Sequence, residues 1–302
     1  MCIRDSTHTV SVDGAPIVLR EWGDESALPV VHWPGLGTYT GEYLFELGPL
    51  LAEHGVRVIA LDPPGIGASP RLPLERYRAD ELGRLLIGGV GALELTDAVL
   101  MGASWGAVVA CEAAALAPER CRGLVLLDGG YFDHSRVRGW QLPLDEHVRR
   151  AGEEEWRFKD REALLSALEE HFGTLSPGLA AYWLSTVEER DGELVDTADT
   201  EVMGAGLWGL VQPRPPIAAR LEAAAVPLLL LVADAGWPSE AEAQELGVSR
   251  ADMEGWRNDG LDAFRALSRS TVIELAGVPH DMIAVAAPRV AELVSQWLPQ
   301  VR

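Results

Sequence analysis

One serine lies in a segment whose neighbours suit covalent chemistry. Ser104 is the centre of GASWG, residues 102–106, which follows an apolar run at 98–101 and precedes an alanine-rich stretch at 107–117. This pattern predicts a strand, a tight turn and a helix. Such a turn pushes the serine hydroxyl out of the sheet and leaves space only for small neighbours, a need that Gly102 and Gly106 meet. Ser104 is therefore a candidate nucleophile, and a serine that only caps the helix is the alternative interpretation.

The elements that must position this serine alternate between strand and helix. Two β-like runs, 7–12 and 15–22, flank Asp13-Gly14, a pair typical of a hairpin turn. Further strands are predicted at 29–33, 56–62, 98–101, 122–128, 226–234 and 271–275, and helices at 42–54, 107–117 and 288–298. Parallel connections between such elements predict an α/β fold with a doubly wound, mostly parallel sheet.

The segment 131–225 departs from this alternation. It contains no predicted buried strand, and its helical stretches carry Trp140, Trp156, Trp183 and Trp208. Within it, Ser176-Pro177 has the pattern of a helix N-cap followed by a proline at the first helical position. We interpret 131–225 as an inserted helical cap, and 7–130 together with 226–302 as the core. Met1 to Ser6 (MCIRDS) matches nothing that follows and is expected to lie outside the fold.

Composition restricts the class of partner. The chain of 302 residues has a formal net charge of −21 and a single lysine, Lys159, so neither nucleic acid nor an anionic membrane is an expected partner. The three cysteines (Cys2, Cys111 and Cys121) lack metal-ligand spacing and are expected to be reduced and structural. Neither a membrane span nor the apolar part of a signal peptide is found, which predicts a cytoplasmic protein. A small-molecule substrate, no metal and no cofactor are expected, and no pattern predicts the oligomeric state.

Two loops carry closely spaced glycines. Gly35-x-Gly37-x-x-x-Gly41 follows the strand at 29–33, and Asp62 opens the run DPPGIGAS, 62–69. A glycine-rich turn with an acidic residue about 20 positions further on also fits a dinucleotide-binding fold. A short-chain dehydrogenase needs a Tyr-x-x-x-Lys pair, however, and Glu155 stands four residues before the only lysine. A dinucleotide-dependent oxidoreductase therefore stays the less favoured alternative.

In this order, the motifs resemble those of the α/β-hydrolase superfamily. Four segments carry the resemblance: the loop PGLG at 34–37, the D-x-x-G-x-G-x-S run at 62–69, the turn GASWG at 102–106, and His280 after the last strand. The likeness extends over nearly the whole chain outside the cap. It implies a core with a nucleophile turn, an inserted cap and a catalytic triad.

The resemblance implies a role for several further residues. A serine hydroxyl needs a general base to become a nucleophile. His280 is the one histidine on the loop after the last strand, and the resemblance implies that this loop carries the base. The backbone amides of Leu36 and Trp105 correspond to the two oxyanion-hole donors, with Trp33 as an alternative to Leu36. The sequence departs from the family here, because Pro34-Gly35 stands where a His-Gly pair is usual.

The acid that orients the histidine has two candidates. Family members usually carry it after the strand that ends Val-Ala-Asp here, but that position is Gly236. Asp234 lies two residues early, and Asp128 ends the preceding strand, where a subset of the family carries the acid. Because Gly129-Gly130 lets the carboxylate of Asp128 turn toward the histidine, Asp128 is favoured and Asp234 stays the alternative. Asp62 is expected to stabilise its own turn.

Together these features predict a capped serine hydrolase that cleaves a small or medium apolar carboxylic ester through an acyl-enzyme intermediate. The same triad also serves amidases and peptidases, lactonases, thioesterases and hydrolases of carbon–carbon bonds. A non-catalytic ligand-binding protein on the same scaffold is a further alternative, because no acid stands in the usual position.

Overall fold

The computed structural model describes residues 5–37, 41–153, 155–234 and 240–301. In the first half of the chain the strands are β1 (Asp5–Val12), β2 (Ala15–Trp22), β3 (Leu28–Trp33), β4 (Val56–Leu61), β5 (Ala98–Ala103) and β6 (Cys121–Leu127). The helices of this half are α1 (Leu47–Glu53), α2 (Ala79–Ala92) and α3 (Trp105–Leu116). Each strand predicted in this half is confirmed to within two residues at either end.

The first two strands form the predicted hairpin. Asp13 and Gly14 take the positive φ values, 49° and 80°, that a tight turn requires. The expectation that residues 1–6 lie outside the fold is wrong for the last two of them. Asp5 and Ser6 pair with Trp22 and Glu21, because backbone pairing extends β1 without any need for an apolar side chain. Residues 1–4 lie outside the described residues.

The helix expected at 42–54 is divided in two. A 3-10 helix covers Gly41–Leu44, and α1 begins only at Leu47. Pro49 explains the break, because a proline in the interior of a longer helix lacks an N–H and clashes with the carbonyl four residues before it. In α1 the proline lies in the first turn, where it is tolerated.

The middle segment, interpreted above as a cap, contains helices and a small sheet. Its elements are α4 (Leu144–Glu153), β7 (Arg157–Phe158), α5 (Arg161–Phe172), α6 (Pro177–Ser185), β8 (Val187–Arg190), β9 (Glu193–Asp196), α7 (Thr200–Val211) and α8 (Ile217–Ala224). The N-cap prediction at Ser176 is confirmed, since its Oγ accepts the amide of Leu179 at 3.1 Å. The antiparallel sheet β7-β9-β8 has two to four residues per strand and few buried positions, so the apolar pattern of the sequence does not predict it.

Helix α7 brings this middle segment against the core. On α7 itself, a Cβ added to Gly206 would lie 2.4 Å from the Leu36 side chain. In the core loops, a Cβ added to Gly37 would lie 3.3 Å from Met203, and one added to Gly65 would lie 2.6 Å from Val202. These close approaches join α7 to the loops that follow β3 and β4. The loops at the carboxyl end of the sheet therefore lie beneath the middle segment.

The remaining elements complete the sheet. They are β10 (Leu228–Ala233), α9 (Glu240–Glu245), α10 (Arg250–Arg265), β11 (Ser270–Leu275), α11 (Met282–Val285) and α12 (Ala287–Trp297). Short 3-10 helices also cover Leu74–Arg76, Pro118–Arg120, His134–Arg136, Arg138–Trp140 and Leu298–Val301. The strand order is β1-β2-β4-β3-β5-β6-β10-β11, with antiparallel pairing only in β1/β2 and β2/β4. The predicted doubly wound, mostly parallel sheet is thus confirmed.

Apolar clusters cover both faces of the sheet. Alternate residues face opposite sides, so Val31 and Leu100 pack toward α2 and α3, whereas Val30 and Met101 pack toward α1 and α12. Helix α3 is buried along nearly its whole length, with Cys111 within it, and both Cys111 and Cys121 are free thiols. Within the described ranges, none of the helices combines the length and apolar character that crossing a membrane requires.

Candidate active site

Ser104 lies on a strained turn between β5 and α3. Its φ of 53° and ψ of −118° fall outside the ordinary regions for a residue with a side chain. The turn is also crowded, because a Cβ on Gly102 would lie 2.2 Å from the carbonyl oxygen of Gly106, and one on Gly106 would lie 2.2 Å from that of Trp33. The Ser104 side chain makes no capping hydrogen bond to α3. The interpretation of Ser104 as only a helix cap therefore does not fit the structure.

A chain of hydrogen bonds joins Ser104 to two other side chains. His280 Nε2 lies 2.8 Å from Ser104 Oγ, and His280 Nδ1 lies 2.6 Å from Asp128 Oδ2. The three residues come from three different places: the turn after β5, the loop after β11 and the end of β6. The histidine side chain is 48% exposed and that of the aspartate only 8%. The His280 ring is thus accessible from outside, while the Asp128 carboxylate is shielded from water.

Asp128 is held by donors on every side. Its Oδ1 accepts the Tyr131 hydroxyl at 3.0 Å and the Ala233 amide at 3.1 Å, while Oδ2 faces His280. Such a set of donors suits an ionised carboxylate, which only accepts hydrogen bonds. Burial, and then the nearby Asp128 charge, raise the pKa of Tyr131, so its hydroxyl keeps the proton that it donates. Sequence reasoning missed Tyr131, because nothing in its spacing distinguishes it from a packing residue.

The backbone explains how the end of β6 brings a carboxylate to His280. Asp128 has a positive φ of 44°, and Gly130 has one of 85°. Between them, a Cβ on Gly129 would lie 2.3 Å from the carbonyl oxygen of Ser104. The two glycines therefore let the chain turn sharply beside the serine and direct the carboxylate toward the histidine loop.

Asp234, the alternative acid, has a different partner. Its Oδ1 accepts the amide of Gly277 at 2.6 Å, which ties the end of β10 to the loop that leads to His280. Position 236, where the family usually carries the acid, lies outside the described residues. The structure therefore brings Asp128, and not Asp234, to His280.

The residues predicted to form the oxyanion hole lie at the start of α3 and on β3 and the loop after it. Trp105 is the first residue of α3, and amides in the first turn of a helix have no partner within it. Pro34, which has no N–H, and Gly35 line the same recess as Ser104. The Leu36 side chain packs against Gly206 of α7. Leu36 and Trp105, with Trp33 as the alternative to Leu36, stay predictions as amide donors.

Three cavities lie at this end of the sheet. The recess beside Ser104 has a volume of only about 20 Å³. Two larger cavities of about 340 and 280 Å³ lie between the core loops and the middle segment, and both touch Gly37, Ala198 and Met203. In the second of these, Trp156 is 54% exposed and stacks on Trp183 with ring centroids 6.1 Å apart. Each of the larger cavities can thus hold more than a small group.

Carboxylates line both larger cavities. Asp62 and Asp199 face the first, and Glu155 and Asp196 face the second. Among the described residues that line these cavities there is neither lysine nor arginine. Burial raises the pKa of Asp196, and the Glu155 charge contributes to the shift. Glu155 is paired with Arg157 and Arg190, and Asp199 lies 3.5 Å from Arg71, so arginines just outside the lining compensate part of this charge.

Asp62 has the structural role that the sequence predicts. Its Oδ2 accepts the amide of Ala68 at 2.9 Å, and a Cβ on Gly67 would lie 2.3 Å from the same oxygen. Ser69 Oγ, at the end of the same turn, accepts the amide of Val18 at 2.8 Å. Because Asp62 closes its own turn, the geometry does not favour it as the ribose ligand of a dinucleotide.

His32, near the end of β3, is buried and lines the recess beside Ser104. Burial lowers its pKa to about 3, and the Met101 backbone opposes this shift, so the ring is neutral near pH 7. Across the described ranges, no group of three or more His, Cys, Asp or Glu side chains has the arrangement of a metal site.

Comparison with known proteins agrees with this architecture. A family model described as alpha/beta hydrolase fold matches residues 29–235. Over 107 residues the chain is 38% identical to the dihydrolipoyllysine-residue acetyltransferase component of an acetoin cleaving system from Pseudomonas putida, a match that covers 35% of this chain and 28% of that protein. It is also 32% identical over 111 residues to epoxide hydrolase B of Mycobacterium tuberculosis, covering 34% of this chain and 31% of that protein. The matches thus span about a third of these relatives.

Solved structures show the likeness in fold over the full length. The thioesterase domain of the curacin biosynthetic pathway superposes with a TM-score of 0.68 at 19% identity, covering 96% of this chain and 99% of that one. E-2-(acetamidomethylene)succinate hydrolase superposes with the same TM-score at 21% identity, covering 98% and 100% of the two chains.

Proposed function

Because the chain belongs to the alpha/beta hydrolase fold family, we propose that it is a serine hydrolase that cleaves a small or medium apolar carboxylic ester. The observation that carries this proposal is the hydrogen-bonded chain from Ser104 through His280 to Asp128. A serine, rather than a carboxylate, occupies the strained turn, which favours an acyl-enzyme intermediate.

The proposed reaction has two halves. In the first, His280 Nε2 takes the proton of Ser104 Oγ while the oxygen attacks the ester carbonyl, and the proton then passes to the leaving alcohol. Asp128 keeps the proton of His280 on Nδ1 and stabilises the imidazolium that forms. Backbone amides at the start of α3 and in the loop after β3 stabilise the negative oxygen. In the second half, water repeats the sequence and releases the acid.

The cavities support a neutral substrate. A recess of about 20 Å³ beside Ser104 leaves space for little more than the reacting groups, so the bulk of the substrate lies in the larger cavities beneath the middle segment. There the exposed face of Trp156 offers an apolar surface. The net charge of −21, and a lining with neither lysine nor arginine among the described residues, disfavour an anionic ester or a dicarboxylate such as those named for some relatives.

Two variants and a chemical probe test this proposal. Ser104→Ala is expected to lower kcat for p-nitrophenyl acetate by about 10⁴-fold or more and to abolish labelling by a fluorophosphonate. Ser295→Ala is the matched control, because Ser295 lies on α12 and its hydroxyl has no partner among the described residues. A mass shift on the peptide that contains Ser104 identifies the labelled residue.

The same experiment separates an enzyme from a ligand-binding protein on this scaffold. An unactivated serine does not react readily with the probe, so a wild-type chain that is neither labelled nor active would contradict the proposal. Undiminished turnover by Ser104→Ala would contradict it as well.

A further inference from the structure

The cavity of about 340 Å³, which we call the polar cavity, lies next to the recess that Ser104 lines. Its walls are the turn after β4, the end of α6, the loop before α7 and the start of α7 itself. Tyr182 lines the polar cavity, and Tyr43 lines the recess. The two rings are in contact, with centroids 5.0 Å apart. The polar cavity is therefore close enough to the serine to hold one part of its substrate.

The hydroxyl groups that line the polar cavity already donate their protons to the protein. Ser185 Oγ donates to the carbonyl of Tyr182 at 2.6 Å, and Thr186 Oγ1 donates to that of Trp183 at 2.9 Å. Thr197 Oγ1 donates to the carbonyl of Thr186 at 2.8 Å. A hydroxyl has a single proton and two lone pairs. Toward a ligand in the cavity, these three oxygens can therefore only accept hydrogen bonds.

The backbone amides of the lining are engaged in the same way. Six of them donate to carbonyl or carboxylate oxygens of the chain, each at 2.9 Å; they are those of Gly65, Ile66, Ala68, Thr197, Ala198 and Met203. The Tyr182 hydroxyl is buried from water and adds no donor to the cavity surface. Donors are therefore scarce along the described part of this lining.

Acceptors, in contrast, are plentiful there. Asp62 and Asp199 line the polar cavity, and an ionised carboxylate only accepts. Asp199 Oδ2 lies 3.5 Å from Arg71, which compensates part of its charge. A ligand that presents acceptors to such a surface loses its hydrogen bonds to water without replacing them, whereas a ligand with O–H groups replaces them. The polar cavity thus favours a neutral group that carries several hydroxyls.

The neighbouring cavity of about 280 Å³ has a different lining. Leu36, Trp156, Trp183, Met203 and Leu207 supply most of its side-chain surface, which suits an apolar chain. Both cavities touch Gly37 and Met203, so one ligand can extend into both.

We propose that the polar cavity binds the alcohol portion of the substrate, and that this alcohol is a polyol, as in a glycerol monoester. The apolar acid then lies in the cavity that Trp156 lines. This inference rests on the proposed function, which supplies the nucleophile and the apolar acid. It adds the chemical class of the leaving group.

Butyrate esters that differ only in the alcohol test the need for donors. Glycerol 1-monobutyrate has two hydroxyls, 2,3-dimethoxypropyl butyrate keeps the oxygens but has no O–H, and propyl butyrate has neither. We expect kcat/KM for the glycerol ester to exceed that for the other two by about tenfold or more, the equivalent of one hydrogen bond. Propyl butyrate is the smallest of the three, so a low value for it cannot result from exclusion by size.

A cationic ester separates hydroxyl recognition from attraction of charge. Butyrylcholine is positively charged but has neither an O–H nor an N–H donor. In about 0.5 M sodium chloride, which screens long-range attraction, its kcat/KM is expected to stay below that of the glycerol ester. A higher value for butyrylcholine, together with equal values for the glycerol ester and its dimethyl ether, would overturn the inference.

A conservative variant locates the recognition in the polar cavity. Thr197→Val keeps the shape of the side chain and removes Oγ1, while the Thr197 amide still bonds to the Thr186 carbonyl. The ratio of kcat/KM for the glycerol ester to that for propyl butyrate is expected to fall about three- to tenfold. Thr197→Ser, which keeps the hydroxyl, should retain the ratio. The matched control is Thr271→Val, since Thr271 lies on β11 and lines neither cavity.

The ratio also separates recognition from an effect on the fold. A structural defect lowers the rates for both esters and leaves their ratio unchanged, so an unchanged ratio in Thr197→Val would overturn the inference. Hydrolysis of p-nitrophenyl butyrate without any preference for the glycerol ester would overturn it as well, but would leave the proposed function intact. A wild-type chain that hydrolyses none of these esters and is not labelled by a fluorophosphonate would contradict the proposed function itself.

Discussion

Asp128 combines an unusual backbone conformation with a fully engaged side chain. Its φ of 44° is uncommon for a residue with a Cβ, although aspartate tolerates it better than most. Three donors, from Tyr131, Ala233 and His280, converge on its two oxygens. A carboxamide cannot satisfy all three, because one of its two terminal atoms is itself a donor. The charge of Asp128 is therefore as important as its shape.

From this geometry we expect Asp128→Asn to lower kcat by about 10³-fold or more, because the histidine loses the partner that fixes its tautomer. Asp234→Asn is the matched control, since an asparagine oxygen can still accept the Gly277 amide, and its activity should stay within about twofold of wild type. Ester hydrolysis by the two purified variants gives the comparison. Loss of activity in Asp234→Asn with normal activity in Asp128→Asn would assign the acid to the other strand.

At the same scale, the sequence identified Ser104 and His280 as candidates but left the acid open. The turn that carries Ser104 requires small residues at fixed positions, and the sequence shows these residues directly. The contact between His280 and Asp128 joins residues 152 positions apart, and it depends on the directions that Gly129 and Gly130 give to the backbone. Tyr131, which donates to Asp128, was missed for a related reason, since only the folded backbone brings its hydroxyl to that carboxylate.

Among the elements, α3 and the loop after β3 meet at a contact that leaves no space for a side chain. A Cβ on Gly106 would lie 2.2 Å from the Trp33 carbonyl oxygen and 2.3 Å from that of Pro34. Both neighbours are backbone atoms, which cannot rotate away. The start of α3 and the loop therefore have to move apart if this residue is enlarged, and that movement displaces Ser104 and the candidate oxyanion donors.

We expect Gly106→Ala to lower the free energy of unfolding by about 1–3 kcal/mol and to slow fluorophosphonate labelling by at least tenfold, because the turn that presents Ser104 is distorted. Urea unfolding and the labelling rate measure the two effects. Gly255→Ala is the control, because Gly255 lies within α10 and an added Cβ would meet nothing within 4 Å. This control should stabilise the chain by about 0.5–1 kcal/mol. A Gly106→Ala variant as stable and reactive as wild type would show that the contact can relax.

Elements with a strong apolar pattern were predictable, and those formed by local backbone geometry were not. The buried strands β3 to β6 are mostly apolar, with at most one charged or imidazole side chain each, so their existence follows from composition and length. The sheet of β7, β8 and β9 is short and largely exposed, and its pairing depends on the helices around it. The split of the helix expected at 42–54 depends on Pro49, because apolar periodicity alone does not reflect the missing N–H of a proline.

For the molecule as a whole, charge is the property that acts at the longest range. The chain carries a formal net charge of −21, and carboxylates line both cavities beneath the middle segment. The net charge repels anionic substrates during approach, whereas it leaves a neutral ester unaffected. Salt screens the repulsion, since the Debye length falls from about 30 Å at 0.01 M to about 3 Å at 1 M.

We therefore expect kcat/KM for an anionic ester, such as mono-(4-nitrophenyl) glutarate, to rise at least severalfold between about 0.01 and 1 M sodium chloride. The neutral ester p-nitrophenyl butyrate should show little change, and the cationic ester acetylthiocholine should show the opposite trend. The three substrates together separate electrostatic steering from a general effect of salt on the fold. If the anionic ester is the best substrate at low salt and loses activity as salt is added, a cation within the site must outweigh the charge of the chain, and the neutral substrate class proposed above would be wrong.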